Sequence, residues 1–323
     1  PQVDTPQIIV APQVDTPSIG SSAMLVELRI SQSLFRKKDT DASNEVTDQN
    51  FADKRAAVVN KNLLVGCAEL TKIHKFTSHT RNSHVGMTLP WSDTGPRLLT
   101  TKGYFIYHPN ITAKQTKFYS LCDDFYDVYP FEVSRAHARL GNLFDPKDYP
   151  PIEEVRKKFS LNVCYIPLPD AGDFRVDVGN EQKKILQDHY SEYYNKQLVS
   201  AMDDLWQRTY KVLSSMSERL DYEEEEEEYW TNPTDKNPRS KLKTRLVGRK
   251  TFRDSLVSNV TAVVELLSVC NVTNDSQMEA MRLDLEDVIR GITPDALRED
   301  SCLRAETKRA VDKVIKSLPT LGM

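Results

Sequence analysis

The longest uninterrupted pattern of apolar and polar positions covers residues 181–221, which contain neither glycine nor proline. Its apolar positions recur at intervals of three, four and seven, at Leu198, Met202, Leu205, Val212, Met216 and Leu220. This period predicts an amphipathic helix about 60 Å long, at 1.5 Å per residue. Such a length is typical of a coiled-coil arm or of a long bundle helix, and the pattern leaves both open.

Further helices are predicted on both sides of this segment. The last 73 residues, 251–323, form three of them, and the first carries Phe252, Leu256, Val260, Val263, Leu267 and Cys270 on one face. The sequence "NVTND" predicts the cap of the second helix, and Thr293–Pro294 that of the third. Earlier in the chain we expect helices from Asp53 to about Thr80, over Thr112–Leu140 with a kink or restart at Pro130, and over Ile152–Phe159. The polar stretch 37–50 predicts a loop, and the aromatic run 103–109 is expected to end at Pro109.

Strand patterns are few. Met24–Ile30 alternates apolar and polar residues, which is typical of a strand. The segments "SLNVCYIPLP" (160–169) and "DFRVDV" (173–178) predict a hairpin that Met24–Ile30 completes as a small sheet. The predicted fold is therefore mainly α with some β: a long-helix bundle or coiled-coil arm together with a small antiparallel β-sheet.

These patterns predict five regions along the chain. Residues 1–23, in which "PQVDTP" occurs twice, read as an extended Pro-rich tail or a cloning remnant. Residues 24–180 form a mixed helical domain with the small sheet, and 181–221 form the long helix. A charged linker over 222–250 then leads to a C-terminal helical region over 251–323.

The charged linker allows two interpretations. Asp221 and Glu223–Glu228 supply seven negative charges, and residues 236–253 supply eight positive charges with no acid among them. The two runs can pair with each other or remain solvated. Alternatively, the basic run binds nucleic acid by counterion release, together with the arginines of "RAHAR". The phosphate or nucleic-acid candidates are Arg135, Arg139, Lys241, Lys243, Arg245, Arg249 and Lys250.

Composition and motifs narrow the classes of function. The net charge of −4 and the pI near 6.0 give no global basic field, so attraction of the whole surface to nucleic acid or to anionic membrane is not expected. The five cysteines form no C-x-x-C pair and predict reduced, mostly buried thiols. No apolar run approaches 18 residues, so we expect no membrane span, and the start of the chain does not resemble a signal peptide.

Catalytic and metal-binding signals are also weak. The common nucleotide-binding, hydrolase and zinc motifs do not occur in the sequence. His74, His79 and His84 are spaced by five residues, which does not place them on one helix face, so surface or loop positions are expected. Asp123 and Asp127 could share a helix face, but a solvated acidic face is the simpler interpretation. We therefore predict no metal, no cofactor and no catalytic residue.

The stretch "TLPWSDTGPRLL" (88–99) resembles either an active-site loop or a packed corner. Trp91 suits an anchor on neighbouring helices, Asp93 an Asx-turn, and Arg97 an ion pair with Asp93 or a distant acid. His84 and Ser92 lie near enough in sequence to keep catalysis as an alternative, although the packed corner is the simpler hypothesis. The interaction candidates are Trp91, Asp93 and Arg97 in this loop, with Leu198, Met202, Leu205 and Trp206 on the long helix.

Several segments together resemble a family of unknown function encoded by tailed bacteriophages. They are "MLVELRISQS" (24–33), "TLPWSDTGPRLL" (88–99), "LGNLFDPKDYP" (140–150), "FRVDV" (174–178), "FRDSLVSNV" (252–260) and "NVTND" (271–275). The resemblance extends from Met24 almost to the C-terminus. It implies a gene neighbourhood with a MoxR-like AAA+ ATPase and a von Willebrand A domain protein, a pair that resembles cobalt-chelatase subunits.

The leading hypothesis is a phage-encoded, non-enzymatic helical interaction protein in the host bacterial cytoplasm. It would act as an adaptor or scaffold, by self-association or with the AAA+ ATPase or von Willebrand A protein. One alternative is a nucleic-acid-associated phage protein that uses residues 236–253. Another is an inhibitor of a host or defence protein whose acidic run imitates nucleic acid, and a hydrolase would need Asp93, Asp123 or His84.

Overall fold

The computed structural model describes residues 22–168, 180–221, 225–230, 242–247, 253–273 and 275–319. The chain divides into two compact units. The first unit contains Met24–Thr88 and Thr94–Pro167, and the second contains Leu89–Asp93 and the chain from Leu168 onward. The predicted fold class is confirmed, because the structure is mainly α-helical with a small antiparallel sheet.

A three-stranded sheet lies in the first unit. Strand β1 (Ala23–Ser31) pairs antiparallel with β5 (Ser160–Pro167), in a register that runs from Met24 opposite Pro167 to Ser31 opposite Ser160. Strand β4 (Arg97–Thr100) borders β1 on its other side. The predicted small antiparallel sheet with Met24–Ile30 and the 160–169 segment is confirmed, whereas the predicted strand over 173–178 lies outside the described residues.

Two antiparallel partners, α2 (Ala68–Gly86) and α3 (Thr101–Leu140), supply most of the first unit's core. Their buried apolar side chains, together with Val155 of α4 (Ile152–Arg156) and residues of the sheet, form one cluster that includes Leu70, Ile73, Phe118, Leu121, Phe125 and Tyr129. The prediction that this helix begins at Thr112 was wrong, because α3 begins at Thr101 and continues through Pro109 and Pro130. Thr100 caps it by accepting a hydrogen bond from the Gly103 N–H, and the buried Tyr107 and Ile111 anchor its first turns.

The predicted loop over 37–50 was also wrong. Strand β2 (Arg36–Asp39) pairs with β3 (Val59–Asn62), and α1 (Thr40–Gln49) begins where the Asp39 carboxylate accepts a hydrogen bond from the Ala42 N–H. The Lys61 ammonium lies 3.5 Å from Asp39 and 2.8 Å from the buried carboxylate of Asp148. Long-range ion pairs therefore hold a polar segment that lacks the apolar periodicity from which strands are predicted.

The second unit is a helical bundle. Helix α5 (Asn180–Leu220) packs on α6 (Ser255–Cys270) and α9 (Ser301–Ser317), and α7 (Ser276–Ile289) packs on the same two helices. The short α8 (Pro294–Glu299) leads into α9. The predicted caps are confirmed, because Asp275 accepts hydrogen bonds at the start of α7 and Thr293 at the start of α8. The predicted third C-terminal helix is divided at Asp300, which caps α9.

The linker predicted over 222–250 needs correction. Strand β6 (Glu225–Trp230) pairs antiparallel with β7 (Leu242–Val247), and the register sets Glu227 opposite Arg245. Cross-strand pairs of opposite charge favour such a pairing, and aromatic and β-branched residues have high strand propensity. The acidic and basic runs thus contribute the two strands of one hairpin.

Across the described residues, the helices contain no stretch with the length and hydropathy that a bilayer crossing requires.

Removal of the Leu205 side chain tests the packing of α5 in the bundle. Leu205 is fully buried, so we expect Leu205→Ala to lower the free energy of unfolding of the second unit by about 2–5 kcal/mol. The exposed Gln207 lies on the same helix, and Gln207→Ala should change this free energy by no more than about 0.5 kcal/mol. Urea denaturation followed by circular dichroism measures both values, and equal effects would contradict this packing.

Candidate functional site

The segment that contains Trp91 lies in the second unit. Leu89 and Trp91 are buried, and the indole ring of Trp91 meets the ring of Tyr194 on α5 edge to face, with 5.1 Å between ring centroids. Asp93 is exposed. Trp91 thus contributes to the core at the middle of α5 and does not present its ring to a partner.

Arg97 lies in the first unit, at the start of β4. Its guanidinium donates to the Thr88 hydroxyl at 2.7 Å and to the Thr88 carbonyl at 3.1 Å. The Thr88 hydroxyl donates in turn to the carbonyl oxygen of His84 at 2.6 Å. These bonds connect β4 to the end of α2, so the Arg97 side chain fixes the two ends of the 88–97 segment together.

His84 is the most strongly perturbed group in this region. Its side chain is buried, and Nδ1 lies 2.8 Å from the hydroxyl oxygen of Tyr107, which is also buried. Burial lowers the pKa of His84 to about 4, with a further contribution from the positive charge of Arg97. Burial raises the pKa of Tyr107. At neutral pH both groups are uncharged, and their hydrogen bond satisfies two polar groups inside the protein.

The expectation that His84 lies on the surface or in a loop was wrong. The buried positions of α2 are Leu70, Ile73, Thr77, Thr80 and His84, which are spaced by three, four, three and four residues. The threonines interrupt the apolar character of this stripe, so it is not evident from hydropathy alone. Its spacing would have placed His84 on the buried face.

The two arginines of "RAHAR" share one acid. Arg135 Nη1 lies 2.8 Å from Oε1 of Glu132, and Arg139 Nη1 lies 3.4 Å from Oε2 of the same side chain. Arg139 also donates to the carbonyl oxygen of Val65. The Glu132 carboxylate is buried, so it depends on these cations for compensation. A phosphate group at this place would compete with Glu132 for both guanidinium groups.

The remaining nucleic-acid candidates belong to the basic run. Lys243 and Arg245 lie in β7, where the register sets them opposite Tyr229 and Glu227 of β6. Lys241, Arg249 and Lys250 lie outside the described residues. The two candidates that the structure describes thus belong to a strand paired with the glutamate-rich strand.

The interaction candidates on α5 belong to the bundle core. Leu198, Leu205 and Trp206 are buried, and Met202 is half-buried. Because three of these side chains are buried and the fourth is half-buried, they offer another protein little free surface in this fold. The carboxyl-terminal half of α5 therefore has a structural role.

The amino-terminal half of α5 differs. Within residues 182–193, all of which the structure describes, none is buried. Ile185 is 62% exposed, Leu186 40% and Tyr193 42%, and Val199 in the next turns is 45% exposed. We call these four residues the exposed α5 surface. This surface was not predicted from the sequence, because the apolar stripe from Leu198 to Leu220 defines the buried face and these four residues lie away from that stripe.

The described part of the chain contains no candidate metal-binding site. There, no three histidine, cysteine, aspartate or glutamate side chains form a group that could hold a metal ion. Asp123, one of the paired carboxylates considered from the sequence, is exposed and lies 3.7 Å from Arg156. The exposed α5 surface is thus the candidate site on which we base the functional argument.

The buried imidazole predicts a pH dependence of stability. The native state holds His84 neutral down to about pH 4, while the unfolded state binds the proton near the ordinary pKa of 6.5. Acidification therefore favours unfolding, and we expect the first unit to lose about 2 kcal/mol between about pH 7.5 and pH 5 from this group. Denaturant unfolding at a series of pH values measures the effect.

Two variants isolate the contribution of His84. His84→Gln should flatten the pH dependence in this window, because glutamine does not titrate. His79→Gln, which alters an exposed histidine on the same helix, should retain the wild-type slope. If the two variants have the same slope, the buried imidazole is not its source.

Comparison with known proteins found no match for this chain. No protein-family model matches the chain, and no curated protein or solved structure matches it. The function is therefore argued from the residues and contacts described above.

Proposed function

We propose that this chain is a non-enzymatic helical interaction protein, which docks a protein partner on the exposed α5 surface. The observation that carries the proposal is the exposure of Ile185, Leu186 and Tyr193 on a helix whose other half is anchored in a bundle core. Apolar and aromatic side chains on a pre-formed helix contribute contact area at a low cost in conformational entropy.

The polar clusters favour this proposal over catalysis. His84 is neutral, buried and hydrogen-bonded to Tyr107, which suits a structural imidazole. Glu132 is engaged by Arg135 and Arg139, and Asp148 by Lys61. These groups are used to satisfy charge inside the fold, whereas the exposed α5 surface has no such internal role.

The nucleic-acid alternative has less support. The glutamate-rich β6 pairs with the basic β7 in a register that sets Glu227 opposite Arg245 and Tyr229 opposite Lys243. Acidic residues so close to the basic strand reduce its attraction for phosphate. Arg135 and Arg139 are likewise shared with Glu132.

The resemblance to the tailed-bacteriophage family suggests which partners to test. On that basis we propose an adaptor or scaffold in the host bacterial cytoplasm, and the first partners to test are the MoxR-like AAA+ ATPase and the von Willebrand A protein. A host or defence protein is the partner expected under the inhibitor hypothesis. All of these partners would use the same surface of α5.

Affinity capture from infected cells, with nuclease treatment and mass spectrometry, tests the proposal. We expect the wild-type chain to retain a protein partner after nuclease treatment, and Ile185→Glu to weaken capture about tenfold or more, because it places a charge in an apolar contact. Gln207→Glu introduces the same residue at an exposed position in the other half of α5 and should capture normally.

The outcomes separate the hypotheses. Because Ile185 is largely exposed, both variants should melt like the wild type, which circular dichroism checks. A partner that Ile185→Glu still captures fully would refute the role of α5. Capture that nuclease abolishes would favour the nucleic-acid hypothesis.

A further inference from the structure

A second feature of α5 concerns the charged residues between the exposed apolar ones. Ile185, Asp188, Glu192, Lys196 and Val199 are spaced by three, four, four and three residues. At 3.6 residues per turn they lie within a sector of about 80° on one face of the helix. All five are exposed, and the ion pairs in the described part of the chain involve none of the three charged residues. We call these five residues the α5 stripe.

The α5 stripe is symmetric in position about Glu192. Ile185 and Val199 each lie seven residues from Glu192, and Asp188 and Lys196 each lie four residues from it. When two such helices cross antiparallel at Glu192, Ile185 meets the partner's Val199 and Asp188 meets the partner's Lys196. The two-fold axis produces each contact twice.

The parallel arrangement lacks this complementarity. It would set Asp188 against Asp188 and Lys196 against Lys196 of the second copy. Like charges directly opposite each other weaken helix pairing, whereas opposite charges at flanking positions select partner and orientation. The charge pattern therefore distinguishes the two directions.

We propose that the docking partner of the α5 stripe is a second copy of this chain, which crosses α5 antiparallel at Glu192. This inference rests on the proposed function and specifies its partner. The contact covers 15 residues, whose ends are about 21 Å apart along the helix, so the interface is small and we expect a weak dimer with a dissociation constant on the order of micromolar. Glu192 meets its own counterpart at the two-fold axis, where the like charges keep the dimer weak.

Beyond Val199, the residues on this face of α5 differ from those of the α5 stripe. Asp203 follows on the same face, and Trp206 is buried in the bundle. Past Val199 the next apolar position on this face is therefore buried, and a second copy finds no further apolar contact there until Tyr210. The crossing point at Glu192 is thus set by the charges.

A charge-exchange experiment on the full chain tests the direction and the register. Sedimentation velocity over a range of concentrations gives the dimer dissociation constant. We expect Asp188→Lys and Lys196→Asp each to weaken the dimer about tenfold, because each turns two attractive contacts into repulsive ones. The double variant exchanges both charges and should restore wild-type association, which a merely structural effect of either residue would not do.

Glu192→Gln supplies a variant that strengthens the dimer. It removes the like charges at the two-fold axis, so the dissociation constant should fall several-fold, by the same order as other cross-helix charge pairs. Gln207→Glu is the matched control outside the stripe and should leave the constant unchanged. Failure of the double exchange to restore association, or a weaker dimer with Glu192→Gln, would overturn the antiparallel crossing.

Disulfide trapping supplies a direct geometric test. In a background with the exposed Cys164 and Cys302 changed to serine, Glu192→Cys should cross-link to itself under mild oxidation. Ile185→Cys should not, because its two copies would lie about 21 Å apart. A mixture of Ile185→Cys and Val199→Cys chains should give the cross-linked heterodimer.

The failure of this inference is distinguishable from failure of the proposed function. A chain that is monomeric at all concentrations, or one whose Ile185→Cys variant cross-links to itself, refutes the antiparallel dimer. If such a monomer still captures a partner that Ile185→Glu loses, the proposed function stands with a different protein on the surface. A dimer that forms through the α5 stripe without any captured third protein supports both statements, with self-association as the interaction.

Discussion

The unequal lengths of α5 and its partner helices determine much of the second unit. Helix α5 has 41 residues, whereas α6 has 16 and α9 has 17, which correspond to about 60 Å against about 25 Å. An amphipathic helix is stabilised mainly by burial of its apolar face, so α5 is covered only where other residues reach it. From residue 182 onward, where the side chains are described, the buried positions accordingly begin at Tyr194, which Trp91 contacts, and continue to Leu220.

The part of α5 that the described helices leave exposed is the surface on which the proposed function rests. A helix anchored over half its length presents Ile185 and Tyr193 on a rigid support, which lowers the entropy lost on docking. The same geometry gives separate roles to two sets of residues on one helix. Under the proposed function, changes at the buried face affect folding and changes at the exposed face affect association, so the two effects can be measured independently.

The first unit shows how buried polar groups are compensated. Asp148 is held by Lys61 and Lys37, Glu132 by Arg135 and Arg139, and His84 by Tyr107. The Asp148 and His84 clusters join elements that are distant in sequence. The Glu132 ion pairs lie within α3, and Arg139 connects them to the Val65 carbonyl. An isolated buried charge is costly in free energy, so removal of one member of an ion pair would leave the other charge buried without compensation. These residues therefore maintain the fold, although several of them resemble binding or catalytic groups when only the sequence is considered.

The local signals in the sequence predicted the elements that depend on local interactions. The caps at Asp275 and Thr293, the helix from 181 to 221 and the alternation in β1 follow from residues within a few positions of each other, and the structure has all of these elements. The β2–β3 pair was not predictable in this way, because the ion pairs with Asp148 are long-range. The spacing within α2 does place His84 on the buried face, but the threonines hide that stripe from hydropathy, and its partner Tyr107 lies on another helix. For α5 the sequence by itself determined that a long helix has an apolar stripe and a second, mixed face. Only the tertiary structure decided where the burial of that helix stops, because this depends on the reach of the residues that pack against it.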